Sequence, residues 1–377
     1  MILWGVLPLL VPVLISISIA YHWGAPLSLP PMVRFVLSLA VSLGALRVYW
    51  YIVLGGSIWQ ANMSRTASMA LDIWFYSALV LFGLVALRGF VNVGGKLFMD
   101  GKILIDTANT SIGLGILAVS LVIGCAGVMN GYGMPVIKHY SVALKGLPAE
   151  AEGYRIAFVA DTHICSTITR ERVQDIVDLT QSAKPDLIAL GGDYKDGAFE
   201  LLKDKLQEFV KFSAPGGVYA VTGNHDGYGP DRERFLRFYV EHGIRFLANE
   251  HAVIRNSEGK PLFTLSGVHD PVFGTDLGQA LQHADKDIPI IMLSHRPALF
   301  DRAAGSVGLM LAGHTHGGSD PLLSVLVANA NGGFVAGEYE KQGSTLIVSR
   351  GTQQWMGWAF RIFNPPEIVV VTLDRAN

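Results

Sequence analysis

Five apolar runs in the second half of the chain each give way to side chains with lone pairs suited to a metal ion. Asp161 and His163 follow YRIAFVA, Asp193 follows DLIALGG, and Asn224, His225 and Asp226 follow GGVYAVTG; His295 follows IPIIMLS, and His314 and His316 follow VGLMLAG. Imidazole, carboxylate and amide oxygen suit Mn, Fe, Zn or Mg, whereas a soft-metal site would want thiolates. Cys125 and Cys165 have no CxxC spacing and imply neither a zinc knuckle nor a disulfide framework. Two divalent ions about 3.5–4 Å apart generate a nucleophile from water at neutral pH and neutralise phosphoryl oxygens, which are the two needs of phosphate-ester hydrolysis. Taken singly, the motifs are ordinary. His295 after a strand reads as a core or loop histidine, and GGD, GN and GHTH read as turns. Five ordinary turns have no reason to carry a complete ligand set in order.

The elements that must position these groups are strands. Each run has strand length and strand composition, so the ligands collect where strands give way to loops, where active sites of layered α/β proteins form. Val136–Leu144 and Tyr154–Ala160 also predict strands, and Glu171–Ala183 predicts a helix stopping before Lys184-Pro185. The domain is large enough for a substantial core.

As D-x-H, G-D, G-N-H-D, H and G-H-T-H, in that order, the residues resemble the calcineurin-like metallophosphoesterases over roughly Ile137 to Leu373. GGDYKDG, GNHDGYG, SGVHDP, GHTHGG, SRGTQQW and NPPEIVVVTL are similar to the YaeI/YkuE-type phosphohydrolases, several of them membrane-tethered. The resemblance implies an α/β, four-layer αββα sandwich over residues 136–377 and two divalent ions, with Mn favoured. It makes Asp161, His163, Asp193 and His316 the ligands of one ion, and Asn224, His295 and His314 those of the other, with Asp193 bridging. His225 would face the substrate to protonate the leaving oxygen or stabilise phosphoryl oxygens, opposite an in-line, metal-bridging hydroxide. Asp196 and Asp226 fit as acceptors that orient imidazoles. Asp270 in GVHDP and Arg296 in SHRP either cap turns or touch substrate.

The first 130 residues are a different kind of object. The whole chain is 50% hydrophobic and 16% charged with a mean hydropathy of +0.37, too apolar for an ordinary soluble protein. The excess lies in four stretches long enough to cross a hydrocarbon core of about 30 Å, namely Ile2–Ala20, Val33–Leu54, Ser68–Leu87 and Ser111–Met129. They predict a four-helix transmembrane domain over residues 1–130, in which Arg34, Arg47 and Asp72 lie near span ends or snorkel. The first stretch has no basic flank and a poor cleavage site at Tyr21-His22-Trp23, so it reads as a retained helix. Trp4, Trp23, Trp50, Tyr51, Trp59 and Trp74 cluster near the proposed interfaces, and Ser120 and Gly124 permit close helix packing. Asn130–Pro135, rich in turn residues, reads as the boundary.

A net charge of −2 without a basic tract argues against nucleic acid as a partner. Membrane attachment makes a lipid-linked phosphodiester or pyrophosphate the natural substrate, and the resemblance implies a UDP-diacylglucosamine pyrophosphohydrolase, a role similar calcineurin-like enzymes fill, as the most specific version. Gln353–Phe360 and Phe363 form an acyl-binding lip or a loop packed on the sandwich. The other readings are a phosphodiesterase or phosphomonoesterase of soluble substrates with the helices as anchor, and a non-catalytic scaffold, sensor or transporter. A loop holding Arg88, Lys96 and Lys102, set against Arg65, Lys138 and Lys145, places the site outside the cytoplasm of a bacterial inner membrane. The oligomeric state is not legible.

Overall fold

The computed structural model describes residues 31–45, 64–99, 101, 105, 110–228, 231–355 and 359–376. The predicted span at 2–20, the later part of 33–54, and Trp4, Trp23, Trp50, Tyr51, Trp59 and Trp358 lie outside the described residues. The chain divides into two compact units, Met1–Met129 and Asn130–Asn377.

In the first unit, α1 (Pro31–Ala45) precedes α2 (Arg65–Phe98) and α3 (Thr110–Gly131). Among the described residues two helices, α2 and the Ser111–Gly131 part of α3, are long and apolar enough to cross a membrane. Ser64 opens α2 by accepting from the Ala67 amide at 3.2 Å. The helix then runs past the predicted end at Leu87, because nothing from Arg88 to Phe98 is a proline. Its 34 residues rise about 51 Å, well beyond the roughly 30 Å of a hydrocarbon core. Arg88 and Lys96 therefore lie on a helix, correcting the loop assigned from sequence. Asp72 is likewise buried rather than near an end, with Ser68 and Tyr76 one turn to either side on the same face. Gly124 of α3 packs so closely on α2 that a Cβ there would sit 2.8 Å from the Ser77 amide nitrogen. Ser120 turns its hydroxyl back to Ile116 O at 2.7 Å.

The second unit consists of two six-stranded mixed sheets. One contains β1 (Val136–Leu144), β2 (Arg155–Val159), β3 (Leu187–Leu190), β4 (Val218–Ala220), β5 (Ile244–Phe246) and β12 (Glu367–Arg375), in the order β1-β12-β2-β3-β4-β5. The other contains β6 (Glu250–Arg255), β7 (Pro261–Gly267), β8 (Ile290–Ser294), β9 (Leu309–Ala312), β10 (Gly337–Lys341) and β11 (Ser344–Val348), in the order β10-β11-β9-β8-β7-β6. β2 to β5 run parallel, as do β7, β8, β9 and β11.

Side-chain alternation sorts the strands into three cores. Ile156, Phe158, Val369 and Val371 face Leu265, Leu293, Leu309 and Ile347 between the sheets. Their neighbours Ala157, Val159, Ile188 and Val370 face outward onto α4 (Arg170–Ser182), α5 (Phe199–Phe209) and α6 (Arg232–Glu241). On the far side Met292, Met310 and Leu346 pack against Phe300 and Ala303 of α8 (Phe300–Ala303), which follows α7 (Leu277–Leu281). Strands buried on both faces read as unbroken apolar runs. The predicted β1 and β2 form with these bounds to within a residue, and the predicted helix appears as α4, opened by Thr169 accepting from the Arg172 amide at 3.2 Å.

Candidate metal centre

Every parallel strand with a sequence-predicted ligand delivers it just past its C-terminal end. β2 leads to Asp161 and His163, β3 to Asp193 and Asp196, β4 to Asn224, His225 and Asp226, β8 to His295 and Arg296, and β9 to His314 and His316. The turns are tight. Asp161, His163, Asp193, His314 and His316 all have positive φ, between 39° and 74°. Non-glycine residues seldom adopt this conformation, at a cost on the order of 1 kcal/mol or more each, and it persists where the surroundings enforce it. Here the enforcement is main-chain pairing between loops: Asp161 N to Gly192 O at 3.0 Å, His163 N to Asp193 O at 3.0 Å and Thr352 N to Ala160 O at 2.8 Å. The approach also explains the glycine before Asn224, since a Cβ on Gly223 would fall 2.2 Å from Asp193 Oδ1.

Two donor sets result. Asp161, His163 and His316 each offer an atom within 4.8 Å of the others, and so do Asp193, His295 and His314, while His163, Asp193 and His225 form a third such group between them. His163 Nε2 and His316 Nε2 are 3.0 Å apart, and His316 Nε2 lies 3.7 Å from Asp161 Oδ1. In the second set His295 Nε2 is 3.1 Å from His314 Nδ1 and 3.2 Å from Asp193 Oδ2. That same Asp193 oxygen is 3.7 Å from His163 Nε2, so one carboxylate reaches both sets, as a bridging ligand must. The Asn224 amide completes the fit: its Nδ2 donates to Tyr228 Oη at 3.3 Å, while its buried Oδ1 has no hydrogen-bond partner. A buried acceptor without a partner costs about 1–3 kcal/mol, and a cation would satisfy it. The residues present therefore fit two hard or borderline divalent ions.

The surrounding groups decide which nitrogen each imidazole presents. His295 Nδ1 donates to Gly191 O at 2.8 Å, leaving Nε2 to the metal side. Asp196 takes His163 Nδ1 at 2.9 Å on one oxygen and His225 Nδ1 at 2.5 Å on the other. It thus orients a ligand and the candidate acid with a single carboxylate. Asp226 does not orient an imidazole, which corrects the sequence expectation. Its carboxylate accepts the main-chain amides of Asp193 at 2.9 Å, Tyr194 at 2.9 Å and Gly223 at 2.7 Å, binding the β3 loop to the β4 loop. Asp270 is buried, caps the Val272 amide at 3.0 Å and holds the Arg296 guanidinium at 2.7 and 3.4 Å. Arg296, about a third exposed, is the member of that pair able to meet a ligand.

Imidazoles and carboxylates packed this closely cannot all keep their ordinary charge. Burial opposes protonation of His295 and His163, yet Asp193, Asp196 and Asp161 outweigh it and push them up to about 10 and about 9. Burial, His295 and Arg296 push His314 down to about 3, and burial with His163 and Arg361 pushes His316 well down. Asp196, against its burial, is held down at about 2 by His163 and His225. Asp226 is raised to about 7 by burial and by Asp193. Strongly perturbed groups collected in one cleft are the electrostatic mark of a functional site.

Several residues at the site carried no recognisable signal in the sequence. Trp355 Nε1 donates to His225 Nε2 at 3.3 Å, and its ring stacks over His316 with centroids 6.5 Å apart. It belongs to the aromatic segment that sequence could place only as a lip or a packed loop. In fact the segment divides, with Trp355 40% exposed at the site and Phe360 buried. Arg361, fully buried, donates to His316 Nδ1 at 3.1 Å and Gln353 O at 2.7 Å, and Asn364 Nδ2 donates to His316 O at 2.7 Å. An arginine inside AFRIFN looks in sequence like any surface arginine.

Donor sets gathered at the shared edge of two sheets define an α/β sandwich protein with a candidate two-metal site. The sequence profile of the calcineurin-like phosphoesterases matches residues 154–318. An uncharacterized metallophosphoesterase from Helicobacter pylori strain J99 is 30% identical over 260 residues, covering 67% of each chain. The chain belongs to the calcineurin-like metallophosphoesterase family. It is also similar to a transmembrane protein with metallophosphoesterase domain from Danio rerio, 28% identical over 272 residues that cover 69% of this chain and 62% of that protein. The metallophosphoesterase YkuE of Bacillus subtilis is 25% identical over 238 residues, covering 61% of this chain and 82% of that one. The chain thus spans less than two thirds of the Danio rerio relative's length.

Proposed function

We propose that this protein is a membrane-bound, metal-dependent phosphoesterase that hydrolyses a phosphodiester or pyrophosphate bond in a lipid-linked substrate. The observation that carries the phosphoesterase reading is the pairing of two complete donor sets with His225, whose ring Asp196 orients at 2.5 Å. Two divalent ions held by Asp161, His163, Asp193, His316, Asn224, His295 and His314 would supply a nucleophile from water and neutralise charge on the phosphoryl oxygens. The chain's own groups do the rest. With Nδ1 committed to Asp196, His225 must carry a second proton, on Nε2, to give one to the leaving oxygen. The Trp355 indole N–H donates to that nitrogen in the structure, so protonation of Nε2 and entry of the leaving group displace the indole. Arg296, pinned by Asp270 beside His295, offers its remaining N–H groups to a phosphoryl oxygen.

The lipid part rests on the two apolar helices, with the predicted spans at 2–20 and 33–54 completing the anchor, and on the exposed indole at the site. The complete donor set speaks against a non-catalytic scaffold. Purified full-length protein with Mn²⁺ should hydrolyse an aryl phosphodiester, and should hydrolyse a lipid phosphodiester or pyrophosphate in vesicles faster at equal concentration. Metal-loaded protein that cleaves neither would end the phosphoesterase reading. A preference for the soluble ester would leave the helices as a mere anchor.

A further inference from the structure

From the surface beside the metal centre we infer a lipid-docking face, formed by α9 (Pro321–Ala330) and Phe363, which seats the mouth of the site on the bilayer. The inference rests on the membrane-bound reading above and assigns the substrate's direction of approach. From Pro321 to Gly337 the sequence has no charged residue, yet Val325 is 62% and Leu326 65% exposed. Both sit on the outer side of α9, with Pro321, Ala330 and the uncharged Asn329 exposed along the same helix. Phe363 is 92% exposed and also holds a positive φ of 56°, a conformation that bulky residues avoid. An apolar helix side and a fully exposed aromatic ring, adjacent and with the half-buried Asp320 at the helix start as the nearest charge in sequence, mark an interaction surface rather than scattered surface residues.

Main-chain contacts place this surface at the site. Ile362 N donates to Ser319 O at 3.1 Å, and Asn364 Nδ2 donates to Gly317 O at 2.9 Å and His316 O at 2.7 Å. Phe363, between them, therefore lies on the turn that runs from the ligand His316 into α9.

The same loop identifies the occupant. Asn130 Nδ2 donates to Arg361 O at 3.0 Å, and a Cβ on Gly131 would fall 1.8 Å from Ala359 O. The Arg172 guanidinium holds Tyr132 O at 3.4 Å and also Gly133 O. The chain thus enters this unit from the last turn of the apolar helix α3 directly onto the loop that carries Phe363. Phe363 is two positions on from Arg361, a reach of about 7 Å even when extended. A face of uncharged side chains on a loop that the residues directly following an apolar, membrane-length helix are bonded to is matched by lipid, into which exposed Phe and Leu side chains insert at the interface. A substrate with its phosphoester at the headgroup level then meets the metal site without leaving the membrane.

Full-length protein in phosphatidylcholine bilayer discs tests this. With Cys125→Ser as background and Cys165 buried, a bimane label is placed at Leu326→Cys or Phe363→Cys, and at Glu258→Cys as control. Glu258 lies in the turn before β7, at the opposite end of the sheet from the metal site. Doxyl-labelled lipid should quench the labels at 326 and 363 several-fold more than the label at 258. Equal quenching at all three positions overturns the inference. So does an unquenched label at 326 when the unlabelled Leu326→Cys protein forms disulfide-linked dimers on oxidation, since the face would then be a contact between copies. The readout needs no turnover. An inactive protein with quenched labels would sink the phosphoesterase reading and leave the docking face, and an active protein with unquenched labels would do the reverse.

Discussion

Asp193 reaches both donor sets through one oxygen and accepts the His225 amide at 2.8 Å through the other, so its substitution is felt across the whole centre. Asp193→Asn should lower activity by several orders of magnitude together with bound metal. His225→Ala should keep its metals while losing about 10²–10⁴ in rate, as groups that transfer protons do. Elemental analysis beside kinetics separates the two, and full metal occupancy in an active Asp193→Asn protein would remove the bridging assignment. The charge pattern makes a second prediction. His163 and His295 are raised above their usual value, to about 9 and about 10, so they must lose protons before they can bind metal. Mn²⁺ affinity should therefore climb with pH through that range. In metal-stripped protein the sign is opposite: stability from these charged imidazoles is complete below about pH 6.5 and is lost as pH rises through about 9 to 10. Melting curves between about pH 7 and 10 should fall for stripped protein and hold for Mn-loaded protein. A parallel pH response of the two forms would count against the electrostatic reading.

At the scale of elements, the loops after β3 and β4 are held as one by Asp226, which gathers three amides in a dry pocket. Asp226→Ala leaves those donors without a partner, each at about 1–3 kcal/mol. It should lower the melting temperature markedly and weaken metal binding, because it frees the positive-φ turn at Asp193 and the loop that carries Asn224. Asp226→Asn should recover part of both, since its amide oxygen still accepts. An unchanged melting temperature in Asp226→Ala would show that the loops hold without this clamp. Strands were legible in the sequence because burial on both faces leaves them apolar throughout, and the ligands were legible because they follow each run at once. The length of α2 was not, since hydropathy ends at Leu87 while main-chain hydrogen bonding continues to Phe98.

On the scale of the whole molecule, Asn130 is bonded onto the active-site loop at Arg361, and Tyr132 and Gly133 onto Arg172 of α4, although their composition reads as a linker. A fragment beginning at Asn130 should therefore be more stable and more active on an aryl phosphodiester than one beginning at Pro135. Equal behaviour of the two fragments would show that the tether is not structural. The side of the membrane is a separate matter. With Arg88 on α2, the loop-charge argument for an extracytoplasmic site narrows to Lys96 and Lys102 against Arg65, Lys138 and Lys145, a count that no longer favours that side. The extracytoplasmic placement read from the sequence is put to a direct test. Alkaline phosphatase fused after Asn377 should be active and a cytoplasm-only fluorescent protein dark, and the reverse pattern would put the site inside.

What the sequence determined by itself was the kind of chemistry and the residues able to hold metal, because donor types, their order and their position after apolar runs are all local properties. What only the tertiary structure decided was how those donors are used. Asp196 serves two histidines, Asp226 serves amides instead of rings, and Trp355 and Arg361 join the site from the loop after β11. Each of these contacts joins residues about 30 to 130 positions apart, and no periodicity or spacing along the chain reports which distant loop a buried polar atom will meet.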